Sequence, residues 1–105
     1  MAEGSTDDTA GVEVEPSDPE ETLHGVVVTM SGNQRVGHPS RDGLMDLLVA
    51  LRADGYQMCL DVFGVDYLRH PQRSGLPASV TPERFEVVYL LIDHDHRSRI
   101  RLRVQ

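Results

Sequence analysis

The sequence predicts a small α+β domain of two layers, in which one main helix covers a mixed β-sheet. Three observations lead to this fold class. Residues 84–104 contain two strand-like runs around a polar tetrapeptide, residues 41–54 carry leucines at helical spacing, and apolar runs precede and follow that helix. An amphipathic helix and a one-sided sheet bury their apolar surfaces against each other, so two layers are expected.

The charge of the chain is unevenly distributed. The net charge is −7, but residues 1–23 contain eight acidic residues and no Lys or Arg, whereas the remainder contains nine acidic residues and ten arginines. A segment with so little to bury cannot offset the entropy of ordering, so residues 1–23 are predicted to be a disordered acidic tail. Residues 24–105 form the predicted domain, and its near neutrality argues against nucleic-acid binding.

The compartment is inferred from three further features. Cys59 is the single cysteine, which excludes an intramolecular disulfide and is compatible with a reducing environment. The sequence shows neither a signal peptide nor an apolar run of membrane-spanning length. We therefore expect a cytoplasmic protein that reaches a membrane only through a binding partner.

The first half of the domain is predicted to be a strand followed by a helix. Residues 25–30 are rich in valine and end at the turn-forming residues 31–33. After a connection, Ser40 is a suitable N-cap for a helix over residues 41–54, and Gly55 is placed to end this helix in a left-handed conformation. The apolar stripe of the helix consists of Leu44, Leu47, Leu48 and Leu51.

A second strand is predicted over residues 56–65, and a long surface loop over residues 66–82. The loop contains three prolines and little periodicity, and loops of this length often contact partners. Strict alternation in the strand gives two expected faces. One is Tyr56, Met58, Leu60 and Val62, and the other is Gln57, Cys59, Asp61 and Phe63.

Residues 84–104 are predicted to form an antiparallel hairpin. A loop over residues 93–96 pairs Ile92 with Arg97. Farther along, the same register pairs Tyr89 with Ile100, Val87 with Leu102 and Phe85 with Val104. The expected core face is then Phe85, Val87, Tyr89, Leu91, Ile100, Leu102 and Val104.

The opposite face of the hairpin mixes apolar and basic residues, and we take it as the candidate partner interface. It is too apolar for a solvated surface and too basic for a core. The alternative is that the arginine stems lie over the apolar side chains with their charged ends in water. The candidate interface residues are Val88, Leu90, Ile92, Arg97, Arg99, Arg101 and Arg103.

Catalytic chemistry is not predicted. The tetrapeptide at residues 93–96 offers four possible metal ligands, but consecutive turn residues point apart, so a solvated turn is expected. Cys59 lies within a strand without a base at a recognisable spacing and is expected to behave as a small buried hydrophobe. Asp61 and Asp66 are expected on opposite faces of a strand and form no acid/base pair. We therefore predict no catalytic, cofactor-binding or metal-binding residues.

Two runs of the sequence resemble one known family. Residues 51–68 read LRADGYQMCLDVFGVDYL, with Leu-Arg before a Gly-Tyr step and a strand that closes on Asp66-Tyr67. The second run, ERFEVVYLL followed by RSRIRLRV, is similar to an Arg-Phe-Glu-Val-Val-Tyr strand and its basic partner strand. Both resemble the 30 kDa subunit family of NADH-quinone oxidoreductase (respiratory complex I), also called the C subunit family. The resemblance covers about residues 25 to 105 and corresponds to the N-terminal half of that subunit.

The resemblance implies a function without chemistry of its own. It implies a cofactor-free structural or assembly subunit of the peripheral arm, on the inner face of the cell membrane. Its neighbours would be the large quinone-site subunit and iron–sulfur subunits, which carry electrons from NADH to quinone. The alternative is a stand-alone interaction or regulatory module that derives from the same domain.

Overall fold

The structure is a computed structural model that describes residues 21 to 105. The predicted acidic tail lies outside the described residues except for its last three. Those three residues form a strand, so the assignment of residues 21–23 to a disordered tail was wrong. The elements are β1 (Glu21–Leu23), β2 (Val26–Ser31), β3 (Gln34–Gly37), α1 (Leu44–Asp54), β4 (Met58–Asp66), β5 (Phe85–Asp93) and β6 (Ser98–Val104).

The strands form one mixed sheet with α1 on one face, which confirms the α+β class. The order across the sheet is β1-β2-β3-β6-β5-β4. Within the described residues, β3 and β6 are parallel and all other neighbours are antiparallel. We call the face that α1 covers the helix side (Leu91, Ile100, Leu102). The opposite face is the loop side, because the β4–β5 connection crosses part of it.

Strand β3 was not predicted. Residues 34–37 contain one large apolar residue, Val36, and their composition is that of a connection. They form a strand because β2 and β6 supply hydrogen-bonding partners on both sides. Gly32 has a φ of 61° in the turn between β2 and β3, a conformation that glycine adopts without steric cost.

Helix α1 begins later than predicted and ends where predicted. Residues 41–43 form a turn, in which the amide of Gly43 donates a hydrogen bond to Ser40 Oγ at 3.0 Å. Gly43 itself takes the N-cap position without a side-chain bond. Gly55 ends the helix with a φ of 118°, and its amide bonds to the carbonyl of Arg52. The core lies between α1 and the sheet and consists of Leu47, Leu51, Tyr56, Leu91, Ile100 and Leu102.

Strand β4 is an edge strand with a bulge, and this overturns the predicted alternation. Cys59 lies opposite Leu91, but Asp61 lies opposite the next residue, Leu90, so Leu60 is the extra residue. The bulge places Val62 on the helix side and Met58 on the loop side. Cys59 is exposed, not buried as expected.

The hairpin has the predicted faces but a register shifted by two residues. Asp93 pairs with Ser98, and Tyr89 pairs with Leu102 instead of Ile100. The turn therefore spans residues 94–97, and Arg97 has a φ of 52°. A shift of two keeps every side chain on its side of the sheet, since side chains alternate with period two. The cause is local: Asp93 Oδ1 accepts hydrogen bonds from the amides of residues 95 and 96 at 3.0 and 3.2 Å.

The predicted core face is wrong at the start of β5. Phe85 is 57% exposed and Val87 is also exposed, because α1 does not extend over them. On the loop side at the same level, Glu86 and Val88 are buried. The long connection after β4 covers Glu86, so the two faces of the hairpin are buried at different ends.

Candidate functional site

The structure places the candidate interface residues on the loop side, in three different situations. Val88 pairs with Arg103, Leu90 with Arg101, and Ile92 with Arg99. Val88 is buried, whereas Leu90 and Ile92 are half-buried. Arg97 lies in the turn and not in a strand, so it does not belong to the row of strand arginines.

Part of this surface is a groove with an apolar floor. Its volume is about 340 Å³. Val88 and Leu90 form its floor, and Phe63 of the edge strand projects into its rim and is 45% exposed. Its remaining lining residues are Val65, Tyr67, Glu86, Arg101 and Arg103. Of the seven candidate interface residues, four line this concave surface (Val88, Leu90, Arg101 and Arg103), and three lie outside it (Ile92, Arg97 and Arg99).

One end of the groove is closed by a buried carboxylate, Glu86, which is 2% exposed. Arg103 Nε donates to Glu86 Oε2 at 2.9 Å, and Gln105 Nε2 donates to Oε1 at 2.8 Å. The Tyr67 hydroxyl donates to the same carboxylate at 3.4 Å. Burial raises the pKa of Glu86, but the hydrogen bonds from Arg103 and Gln105 outweigh it and hold the pKa below its ordinary value. Arg103 is therefore a structural partner of Glu86 and not a free interface cation.

Arg73 holds the β4–β5 connection over Glu86, and this role was not predicted from the sequence. Its guanidinium lies 3.7 Å from the centre of the Tyr67 ring and 3.9 Å from Glu86 Oε1. It also donates to the side chain of Gln105 and the carbonyl of Glu83. The sequence contained one indication of this ion pair, because Glu86 lies on an otherwise apolar strand face. A carboxylate that is buried there requires a cation as its partner. Nothing in the sequence indicates which arginine supplies it.

His38 is a second buried polar residue next to this cluster. Its Nε2 is 2.8 Å from Thr29 Oγ1, and its Nδ1 has no hydrogen-bond partner among the described residues. Burial, helped by the positive charge of Arg103, lowers the pKa of His38 to about 4. His38 is therefore neutral at pH 7.

The turn after β5 is held by its own side chains. Asp93 Oδ2 lies 2.7 Å from His96 Nδ1. This contact lowers the pKa of Asp93 and raises the pKa of His96. Within residues 21–105, no three His, Cys, Asp or Glu side chains converge as metal ligands. The side chains of Asp93 and His96 thus stabilise the turn.

The comparisons with known proteins identify the family. Residues 38–105 match the family model described as "Respiratory-chain NADH dehydrogenase, 30 Kd subunit". The chain belongs to this family. The resemblance drawn from the two sequence runs is therefore confirmed.

Two relatives of this 30 kDa subunit family member agree with the assignment. The C subunit of the NADH-quinone oxidoreductase of Erythrobacter litoralis (strain HTCC2594) is 40% identical over 65 residues, which are 61% of this chain and 22% of the relative. A solved structure described as the trypsin-resistant fragment (1-134) of Nqo5 matches with a TM-score of 0.63 and 27% identity, over 76% of this chain and 60% of the fragment. The chain thus spans about a fifth of the curated relative.

In the part of the chain that the structure describes, α1 is too short to cross a membrane.

Proposed function

We propose that this chain is a non-catalytic structural subunit of the peripheral arm of an NADH-quinone oxidoreductase. The observation that carries the proposal is the family match over residues 38–105. Partner subunits carry out the electron transfer from NADH to quinone. The chain reaches the inner face of the cell membrane on the cytoplasmic side through those partners, which include a large quinone-site subunit and iron–sulfur subunits.

The loop-side groove is the proposed contact surface. Leu90 in the groove is half-buried, as is Ile92 two residues along the same strand face, and Phe63 is exposed, so a partner can remove apolar area from water there. Arg99 and Arg101 flank these residues on β6, whereas Arg103 is engaged by Glu86. A partner with an apolar anchor and a carboxylate is the complementary surface.

The test is a mild-detergent pull-down of the tagged full chain from its native cells, with partners identified by mass spectrometry. We expect the large quinone-site subunit with wild type, and its loss with Leu90→Asp combined with Arg101→Glu. Val88 is not substituted, because it is buried and a charge there would unfold the domain. Met30→Asp, at an exposed position on β2 away from the groove, is the matched control and keeps the partners. Equal recovery with both variants would remove the groove from the proposal.

The alternative function is a stand-alone interaction or regulatory module. In that case the same pull-down recovers the protein alone from the soluble fraction.

A further inference from the structure

The helix side of the sheet is only partly covered. Six strands about 4.8 Å apart span about 24 Å, whereas a helix with its side chains is about 10 Å wide. Helix α1 packs on Leu91, Ile100 and Leu102 and leaves β4 and the first half of β5 without cover. There, Val62 is 50% exposed and Phe85 is 57% exposed, and Val87 lies between them on the same face.

The orientation of α1 places its exposed apolar residues next to this uncovered part. Asp54 Oδ2 lies 2.6 Å from His24 Nε2, and Leu47 lines a small cavity with side chains of β1 and β2. These two residues therefore mark the flank of α1 that faces β1 and β2. At about 100° per residue, Leu48 and Met45 lie on the other flank, toward β5 and β4. Met45 is 69% exposed.

The two surfaces form an apolar notch, with Met45 and Leu48 as its wall and Val62, Phe85 and Val87 as its floor. Gly64 lies opposite Val87, and because it has no side chain, nothing projects from the floor of the notch at this position. One end of the notch is a cavity of about 360 Å³, lined by Phe85, Val87, Val104, Arg41, Glu83, Arg84 and Gln105.

The rim of the notch contains three arginines (Arg41, Arg52 and Arg84) and two acids (Asp66 and Glu83), so its net charge is +1. Arg52 lies on the same flank of α1 as Met45, and Arg41 lies at the end cavity. Arg84, also at that end, is bound to Asp66 through two hydrogen bonds of 3.0 Å, so this acid does not offset the other two arginines. An occupant with acidic residues beside its apolar stripe is therefore complementary.

We propose that the notch receives one amphipathic α-helix of a partner polypeptide, with an apolar stripe at i, i+3, i+4 and i+7 and acidic flanks. Residues 1–20 of this chain do not supply that stripe, because Met1, Val12 and Val14 are their only large apolar residues. The notch and the loop-side groove are on opposite faces, so the proposal does not depend on the proposed function.

The test uses the full chain and a fluorescein-labelled helical peptide of about five turns, or about 18 residues, with a leucine stripe flanked by glutamates. Fluorescence anisotropy measures its Kd. We expect saturable binding, and binding at least about tenfold weaker for a peptide with lysines in place of the glutamates.

Two variants at neighbouring positions distinguish the faces. Val62→Lys, on the notch floor, weakens peptide binding at least about tenfold. Phe63→Lys, next to it and similarly exposed on the loop side, leaves Kd unchanged, and circular dichroism verifies that both variants fold. The double variant of the loop-side groove, Leu90→Asp with Arg101→Glu, also leaves the Kd of the peptide unchanged. This result is expected whether or not the double variant loses its partners in the pull-down.

Three outcomes would overturn the proposal. They are the absence of saturable binding, equal effects of the two lysine variants, and a dimer in sedimentation velocity that Val62→Lys dissociates. The last result would assign the notch to a second copy of this chain.

Discussion

Arg103 and Glu86 form a direct ion pair, with 2.9 Å between Arg103 Nε and Glu86 Oε2, on a face of the hairpin that the sequence places outside the core. Glu86 is buried because the β4–β5 connection passes over it and brings Arg73 with it. The loop side of the hairpin is thus buried around Glu86 and accessible to solvent around Leu90.

Removal of the buried carboxylate should destabilise the domain strongly. Glu86→Ala leaves the side chains of Arg73 and Arg103 largely buried without their acid. Breaking a buried pair in this way typically costs about 3–5 kcal/mol of the free energy of unfolding. Urea unfolding measures the loss. Glu83→Ala removes an exposed carboxylate nearby and should change stability by less than about 0.5 kcal/mol.

The connection between β4 and β5 should become mobile without Arg73. The Arg73 side chain links Tyr67, Gln105 and Glu83, whereas the side chain of Arg69 is exposed. Arg73→Ala should therefore increase amide hydrogen exchange across residues 68–82, and Arg69→Ala should not. Equal exchange in the two variants would mean that other contacts hold the connection.

Stability should fall between pH 6.5 and about 4 because of His38. The folded pKa of about 4 lies below the ordinary value of 6.5, so in this range the unfolded chain binds a proton that the folded chain does not. The free energy of unfolding therefore rises with pH through this window, by up to about 3 kcal/mol. His38→Gln should flatten this slope in denaturant titrations at a series of pH values. An unchanged slope would assign it to other groups.

A second loss of stability is expected from Glu86 as the pH falls below its ordinary pKa of 4.5. Its folded pKa is lowered, so its contribution is present above the unfolded pKa and is lost as the pH falls through the folded value. Glu86→Gln should abolish this loss of stability at low pH and leave the pH dependence that is due to His38 unchanged. The pH dependence of unfolding for the two single variants separates the two groups.

Gly55 should tolerate substitution less well than Gly25, although both have positive φ. A Cβ at Gly55 would lie 2.6 Å from Asp93 Oδ2, whereas a Cβ at Gly25 meets nothing within 4 Å. Each substitution by alanine costs about 1–2 kcal/mol for the left-handed backbone. Gly55→Ala should cost more, because it also displaces the carboxylate that holds the hairpin turn. Thermal unfolding compares the two variants, and equal losses would contradict the contact.

The sequence by itself determined the elements whose signals are local. The leucine stripe and Gly55 fixed helix α1 and its end, and the alternation of residues 97–104 fixed the two faces of the hairpin. These signals survive without tertiary context because helix periodicity, a left-handed cap and strand alternation are properties of neighbouring residues. The family was also visible in the sequence, because its two motifs lie within continuous runs.

The tertiary structure decided which parts of those faces are buried. Strand β3 exists because β2 and β6 are on both of its sides, and the bulge at Leu60 redirects β4. Arg73 reaches Glu86 from a loop position that no spacing rule indicates. Phe85 is exposed because α1 is too narrow to cover all six strands. Burial depends on contacts between residues that are distant in the chain, whereas the sequence patterns used here describe only residues that are close in the chain.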